Sequence, residues 1–185
     1  RKSQKRILAR CEKVDTIYRS IGHIGNGRMK YKDISFKEIK ALSHQVCLEI
    51  QQSNTVFDCI IGIAKGGNIP ATLISYELEV PTFKTIQIKS YNDDNERKST
   101  VFSSGTLSLI DELNKYNNVL LVDDLADSGK TLSEFHELYK FLSNKVKVPN
   151  IKTACLYYKI KSEFKPDYYA SSIEGADVWL NFPWE

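Results

Sequence analysis

From Asp33 onward the chain switches repeatedly between two hydrophobic periods. Ile34, Phe36, Ile39, Ser43, Val46 and Ile50 recur at helical spacing, which predicts an amphipathic helix over residues 34–52. Asp58–Ile63 is a short, β-branched apolar run and predicts a buried strand. Gly66-Gly67 punctuates the chain before a further helix expected through Glu79, and Pro81 opens an expected strand over Thr82–Ser90. Residues 92–105 (NDDNERKSTVFSSG) are polar and long for a connection, as in a functional lid or a disordered segment. Asn118–Val122 predicts a second buried strand. Ser128–Leu142 predicts a helix with Leu132, Phe135, Leu138 and Leu142 on one face, and Ile151–Tyr158 a third strand. Short buried strands alternating with helices predict an α/β fold, a mostly parallel twisted sheet flanked by helices.

Composition narrows the class. At 185 residues the chain fits one domain with a proper core, and no apolar run approaches the roughly 20 residues of a membrane span. Its start lacks the apolar segment of a signal peptide. Cys11, Cys47, Cys59 and Cys155 are scattered, with no C-x-x-C pair and no neighbouring histidine. Neither a zinc site nor a disulfide framework is expected. Cys59 and Cys155 read as buried free thiols in a reducing compartment, by default the cytoplasm.

The net charge of +3 is unevenly spread. Residues 1–28 hold eight Lys/Arg against Glu12 and Asp15, whereas the remainder has 18 basic and 21 acidic residues. The acidic body has no electrostatic reason to coat nucleic acid. Met29, the sole methionine, stands where the composition changes. Two readings of 1–28 stay open: upstream sequence before a native start at Met29, or a basic arm for RNA, an acidic partner or a neighbouring subunit. In either case Gly22–Arg28 is expected to be a flexible joint, leaving 29–185 as the working domain.

The strongest chemical signal is Val119-Leu-Leu-Val-Asp123-Asp124-Leu-Ala-Asp127-Ser128-Gly129-Lys130-Thr131. A buried strand ends in two carboxylates and turns into a helix start. The carboxyl ends of parallel strands are where such sheets bind ligands. Backbone N–H groups and hydroxyls of Ser128–Thr131, at the positive end of a helix dipole, make a cradle for a phosphate monoester. Asp123 and Asp124 suit ribose hydroxyls or Mg²⁺. A cation site beside an anion site describes a sugar phosphate. Gly129-Lys130-Thr131 is no Walker A loop, because that motif needs glycine where Asp124 stands.

These residues resemble the signature of type I phosphoribosyltransferases, an apolar strand followed by D-D-x-x-D-S/T-G-x-T. The resemblance implies that Asp123 and Asp124 engage the ribose hydroxyls, Asp127 lies near the base, and Ser128, Gly129, Lys130 and Thr131 hold the 5′-phosphate. Ile61-Gly-Ile-Ala64-Lys65-Gly66-Gly67 is similar to the family's pyrophosphate loop, with Lys65 where arginine is common. A point charge there replaces a bidentate grip. Ser90-Tyr91-Asn-Asp-Asp-Asn95-Glu96-Arg97-Lys98 resembles the catalytic lid of the bacterial xanthine–guanine enzymes, which implies that Arg97 or Lys98 reaches the leaving pyrophosphate.

Lys159 and the segment Trp179-Leu180-Asn181-Phe182-Pro183-Trp184-Glu185 resemble the base site of the same enzymes. The resemblance implies that Lys159 donates to a purine 6-oxo group, Trp179 stacks on the base, and backbone groups near Leu180 meet its 2-position. An ammonium disfavours adenine's 6-amino donor, so guanine, xanthine or hypoxanthine is expected. The resemblance spans about Tyr31–Glu185. It implies a small hood built from N- and C-terminal segments, Mg²⁺ held by Asp123 and Asp124, and a homo-oligomer. The implied reaction is purine salvage from 5-phosphoribosyl-1-pyrophosphate (PRPP), with Asp127, Arg97 and Lys65 as its catalytic residues. The alternative is a non-catalytic sensor of PRPP or a nucleotide, supported only by the basic arm.

Overall fold

The computed structural model describes residues 30–90, 100–102, 112–143, 148–175 and 177–185. Apart from Lys30 these belong to one unit, Tyr31–Glu185. Residues 1–28, Met29, Tyr91 and the expected catalytic lid residues Arg97 and Lys98 lie outside the described residues.

Five strands form the central sheet: β2 (Cys59–Ile63), β3 (Thr82–Ile86), β6 (Asn118–Ala126), β7 (Asn150–Lys159) and β8 (Tyr168–Ile173). Their order is β3-β2-β6-β7-β8, and every pairing is parallel. Helices α1 (Phe36–Gln52), α2 (Asn68–Glu77) and α3 (Lys130–Ser143) flank it, as the sequence pattern predicts. The two faces follow from the period of two along each strand. Ile60, Leu120 and Val122 pack with Val46 and Ile50 of α1 and Ala71 and Ile74 of α2. Ile61, Val119 and Leu121 face the other way, toward Leu132 and Phe135 of α3. Each such side chain contributes about 1.5–3 kcal/mol relative to exposure.

α1 starts where Ser35 Oγ accepts from Glu38 N–H at 3.2 Å. It ends before Asn54, whose φ of 55° closes the helix in the left-handed region. Its buried face holds Ile39, Leu42, Ser43, Val46, Cys47 and Ile50. Phe36, expected on that face, is instead 62 % exposed, and its ring lies against Trp184.

Three other expectations change. The strand expected over Thr82–Ser90 is two strands in different sheets. After β3, β4 (Ile88–Ser90) pairs antiparallel with β5 (Thr100–Phe102), so part of the expected lid is strand. β6 does not stop before the aspartates but carries Asp123 and Asp124 within it. α3 begins at Lys130, two residues later than expected, because Ser128 and Gly129 form the turn.

β1 (Lys30–Asp33) and β9 (Val178–Asn181) form a separate two-stranded sheet, the expected hood. Ile34 N–H donates to Asn181 O at 2.9 Å, and Asn181 Nδ2 donates to Asp33 Oδ1 at 2.9 Å. A polar knot fastens the hood to the core. Lys32 Nζ lies 2.8 Å from Glu38 Oε1, which also accepts from the buried Tyr157 hydroxyl at 2.7 Å. Cys47, Cys59 and Cys155 are buried free thiols. Burial pushes Cys47 up to about 12 and Cys59 up to about 11, which leaves both inert at neutral pH. No helix among the described residues is long and apolar enough to cross a membrane.

Candidate active site

Because the strands are parallel, their carboxyl ends share one edge. There β2 passes into Ala64–Gly67, β6 into Asp127–Gly129, and β7 ends at Lys159. β6 aligns Gly62 with Val122 on one side and Ala154 with Val122 on the other. The expected pyrophosphate loop, the sugar-phosphate motif and Lys159 are thereby brought together.

Asp123 and Asp124 retain some surface, but their carboxyl groups sit deep at this edge. Asp123 Oδ1 accepts from Asp124 N–H at 3.0 Å. Burial raises the Asp123 carboxyl well above the usual range, and the Asp124 charge raises it further. Burial also raises Asp124; hydrogen bonds from the Asp123 side chain, the Leu125 backbone and the Trp184 indole partly offset it. Two crowded oxygen donors, each disfavoured as an isolated anion, fit a hard divalent cation. Mg²⁺ commonly takes one or two carboxylates and completes its shell with water and phosphate. The residues present therefore fit Mg²⁺.

The turn after β6 has the form of an anion cradle. Gly129 has φ +80°, and a Cβ there would stand 2.6 Å from Phe164 N. Only glycine takes that conformation cheaply. Ser128 Oγ accepts from Lys130 N–H at 3.3 Å, and Ser128 O accepts from Glu163 N–H at 2.9 Å. The segment after β7 thus braces the cradle, a support that the local motif does not reveal. Thr131 is half-buried in the first turn of α3. The Lys130 ammonium lies 3.4 Å from Glu134 Oε1, one turn along the helix.

The Ala64–Lys65 peptide is cis, and the Lys65 side chain is exposed. Gly67 is enclosed by backbone: a Cβ would stand 2.6 Å from Val122 O and 2.8 Å from Asp123 Cα. A Cβ on Gly66 would fall inside the Asp124 carboxylate and 3.0 Å from Trp184 Nε1. The two glycines let this loop press against the acidic end of β6.

On the adjacent side, Lys159 Nζ lies 2.5 Å from Asp127 Oδ1. Lys159 is only 8 % exposed, so Asp127 supplies its counter-charge at the edge of the core. Trp179 is 47 % exposed on β9, while Leu180 and Phe182 are buried. Trp184 stacks on Phe182 with ring centroids 4.8 Å apart and planes 16° apart. Sequence reasoning assigned no role to Trp184, although it lies within the quoted segment. His44 pairs with Glu77, and His136 lies against Phe164.

Residues 28–184 match the family described as "Phosphoribosyl transferase domain". A xanthine-guanine phosphoribosyltransferase of Cereibacter sphaeroides is 33 % identical over 132 residues, 71 % of each chain. Another from a Ruegeria species is 31 % identical over 131 residues, covering 68 % of this chain and 67 % of its own. The crystal structure of a purine phosphoribosyltransferase from Pyrococcus horikoshii superposes with a TM-score of 0.67 at 29 % identity, covering 85 % of this chain and 95 % of that one.

Proposed function

The chain belongs to the phosphoribosyl transferase domain family, and from that premise we propose a purine-salvage enzyme transferring the 5-phosphoribosyl group from PRPP to a 6-oxopurine. The observation that carries this reading is the 2.5 Å Lys159–Asp127 pair beside the cradle at the end of β6. It sets a fixed donor next to a fixed acceptor. A 6-oxopurine presents the matching edge, a carbonyl acceptor beside an imidazole nitrogen that can carry a proton. Adenine would place its 6-amino donor against the ammonium, leaving two donors opposed. The names of the curated relatives support the same acceptor class.

The residues then divide the work. The Ser128–Thr131 turn holds the 5′-phosphate through backbone N–H groups and hydroxyls. Asp123 and Asp124 hold the ribose hydroxyls, and they are the residues that would bind Mg²⁺. When bound, the ion neutralises charge on the leaving pyrophosphate. Amides of the Lys65–Gly67 loop and the exposed Lys65 ammonium face that same group. Arg97, from the segment resembling a lid, completes the charge compensation in this reading. Lys159 donates to the 6-oxo oxygen. Asp127 orients the purine N–H and accepts its proton as the ring nitrogen attacks the sugar carbon. Trp179 offers an exposed indole face for stacking, and the backbone at Leu180 lies next to it.

Pyrophosphate release is the direct test, measured with PRPP, Mg²⁺ and a panel of guanine, xanthine, hypoxanthine, adenine and uracil. Release with at least one 6-oxopurine and none with adenine or uracil is expected. Silence with all three 6-oxopurines would overturn the reading.

A further inference from the structure

We propose that Trp184 is a positioning residue for the donor half of the site, its indole N–H holding the Asp124 carboxylate against Gly66. The inference rests on the reading of Asp124 as an acid of the PRPP site. Its geometry begins at Gly66, where a Cβ would meet both the Asp124 carboxylate and Trp184 Nε1. Three groups from distant parts of the chain converge on one point. The indole nitrogen is a donor only, and the carboxylate beside it is an acceptor.

The ring is held from several sides. Phe182 stacks on it, and Phe36 tilts against it at 6.4 Å. That contact accounts for a phenylalanine that faces away from the core. Glu185 N–H donates to Phe182 O at 3.1 Å, closing a turn with Pro183 at its second position. Phe182 in turn meets the Tyr157 ring at 6.2 Å, and the Tyr157 hydroxyl is bound to Glu38. The indole is therefore fixed by the elements that anchor the hood.

A neutral donor suits this position. A lysine or arginine would also orient Asp124, but would cancel the charge that a cation and ribose hydroxyls require. The indole N–H fixes one carboxylate oxygen and leaves the net charge intact. Gly66 leaves room for the arrangement, which links the end of the hood to the sugar side of the site rather than to the base.

The test has two arms. The chain has two tryptophans, so indole ¹⁵N–¹H spectra contain two side-chain signals, assigned with Trp179→Phe. The Trp184 signal should shift in Asp124→Ala while the Trp179 signal stays in place. In the second arm, Trp184→Phe keeps the stacking ring and loses the donor. Its affinity for PRPP with Mg²⁺, measured by calorimetry, should fall roughly tenfold. The KM for the purine should change less than twofold. In an Asp124→Asn background, Trp184→Phe should add little to the loss. An unmoved Trp184 signal would overturn the bond itself. Equal losses for PRPP and purine, or full additivity with Asp124→Asn, would reduce Trp184 to a structural ring. Wild-type protein that binds no PRPP would sink the functional reading, and the positioning role with it, even if the bond were present.

Discussion

The Lys159 ammonium lies 2.5 Å from the Asp127 carboxylate, although the two residues leave neighbouring strands. Each holds the other in place, and under the proposed function their separate removal should have different consequences. Asp127→Asn should lower turnover by ~10²–10⁴ while PRPP affinity is largely retained. Single-turnover kinetics and calorimetry check the two halves of that expectation. Lys159→Gln should instead act on the acceptor, narrowing the preference for 6-oxopurines over adenine by roughly a hundredfold in kcat/KM.

The adjacent glycines Gly66 and Gly67 should separate function from stability. Gly66→Ala places a methyl group where the Asp124 side chain lies, and a side chain can move. The fold should persist, while turnover falls about a hundredfold as the acid is displaced. Gly67→Ala meets backbone atoms of β6 at 2.6 and 2.8 Å, which cannot yield. A loss of about 1–3 kcal/mol in denaturant unfolding is expected there.

Gly129→Ala combines a φ of +80° with a close approach to Phe164 N. It should cost about 1–3 kcal/mol and weaken binding of phosphate monoesters more than binding of free purines. Melting curves with ribose 5-phosphate or with guanine would read both effects.

Asp167 yields a pH prediction outside the site. Burial alone would raise its carboxyl. The hydrogen bonds from Lys152 at 2.8 Å and from Thr153 N and Oγ1 at 2.8 and 2.9 Å outweigh burial and hold it below its ordinary value. A depressed carboxyl stabilises the fold above its unfolded pKa and loses that contribution as pH falls through the folded one. Asp167→Asn should thus cost about 1 kcal/mol at pH 7, a figure discounted for partial exposure. The wild-type and variant melting curves should begin to converge as pH falls through about 4, the ordinary carboxylate value, and meet below the lowered folded one.

The parts of this molecule that were legible in sequence are those whose physics is local. β2, β6 and β7 are buried on both faces, so their apolar runs mark them without help from the rest of the chain. β8 was not anticipated because only its ends, Tyr168 and Ile173, are buried. β1, with the sequence KYKD, has no apolar signature at all and exists through its pairing with β9. At the candidate site, the Ser128–Thr131 turn and the paired glycines lie within short-range motifs, and parallel strands bring them to one edge. The junction of Asp124, Gly66 and Trp184 joins three separate segments, and no periodicity records it. Phe36 was misplaced for the same reason: its partner, Trp184, lies at the far end of the chain.

The strand register adds a constraint on how this site can change over time. Ala126 of β6 aligns with Tyr158 of β7, so Asp127 and Lys159 emerge one step beyond a fixed rung. The sheet works as a ruler whose smallest division is a single residue, and a slip of one division turns each side chain to the opposite face. Insertion or deletion of one residue within β7 would carry the ammonium away from Asp127. Substitution at position 159, or lengthening of the chain after it, leaves the ruler intact. New arrangements at this edge are therefore open to this scaffold by exchange of side chains at the strand ends, and closed to it by shifts within the strands.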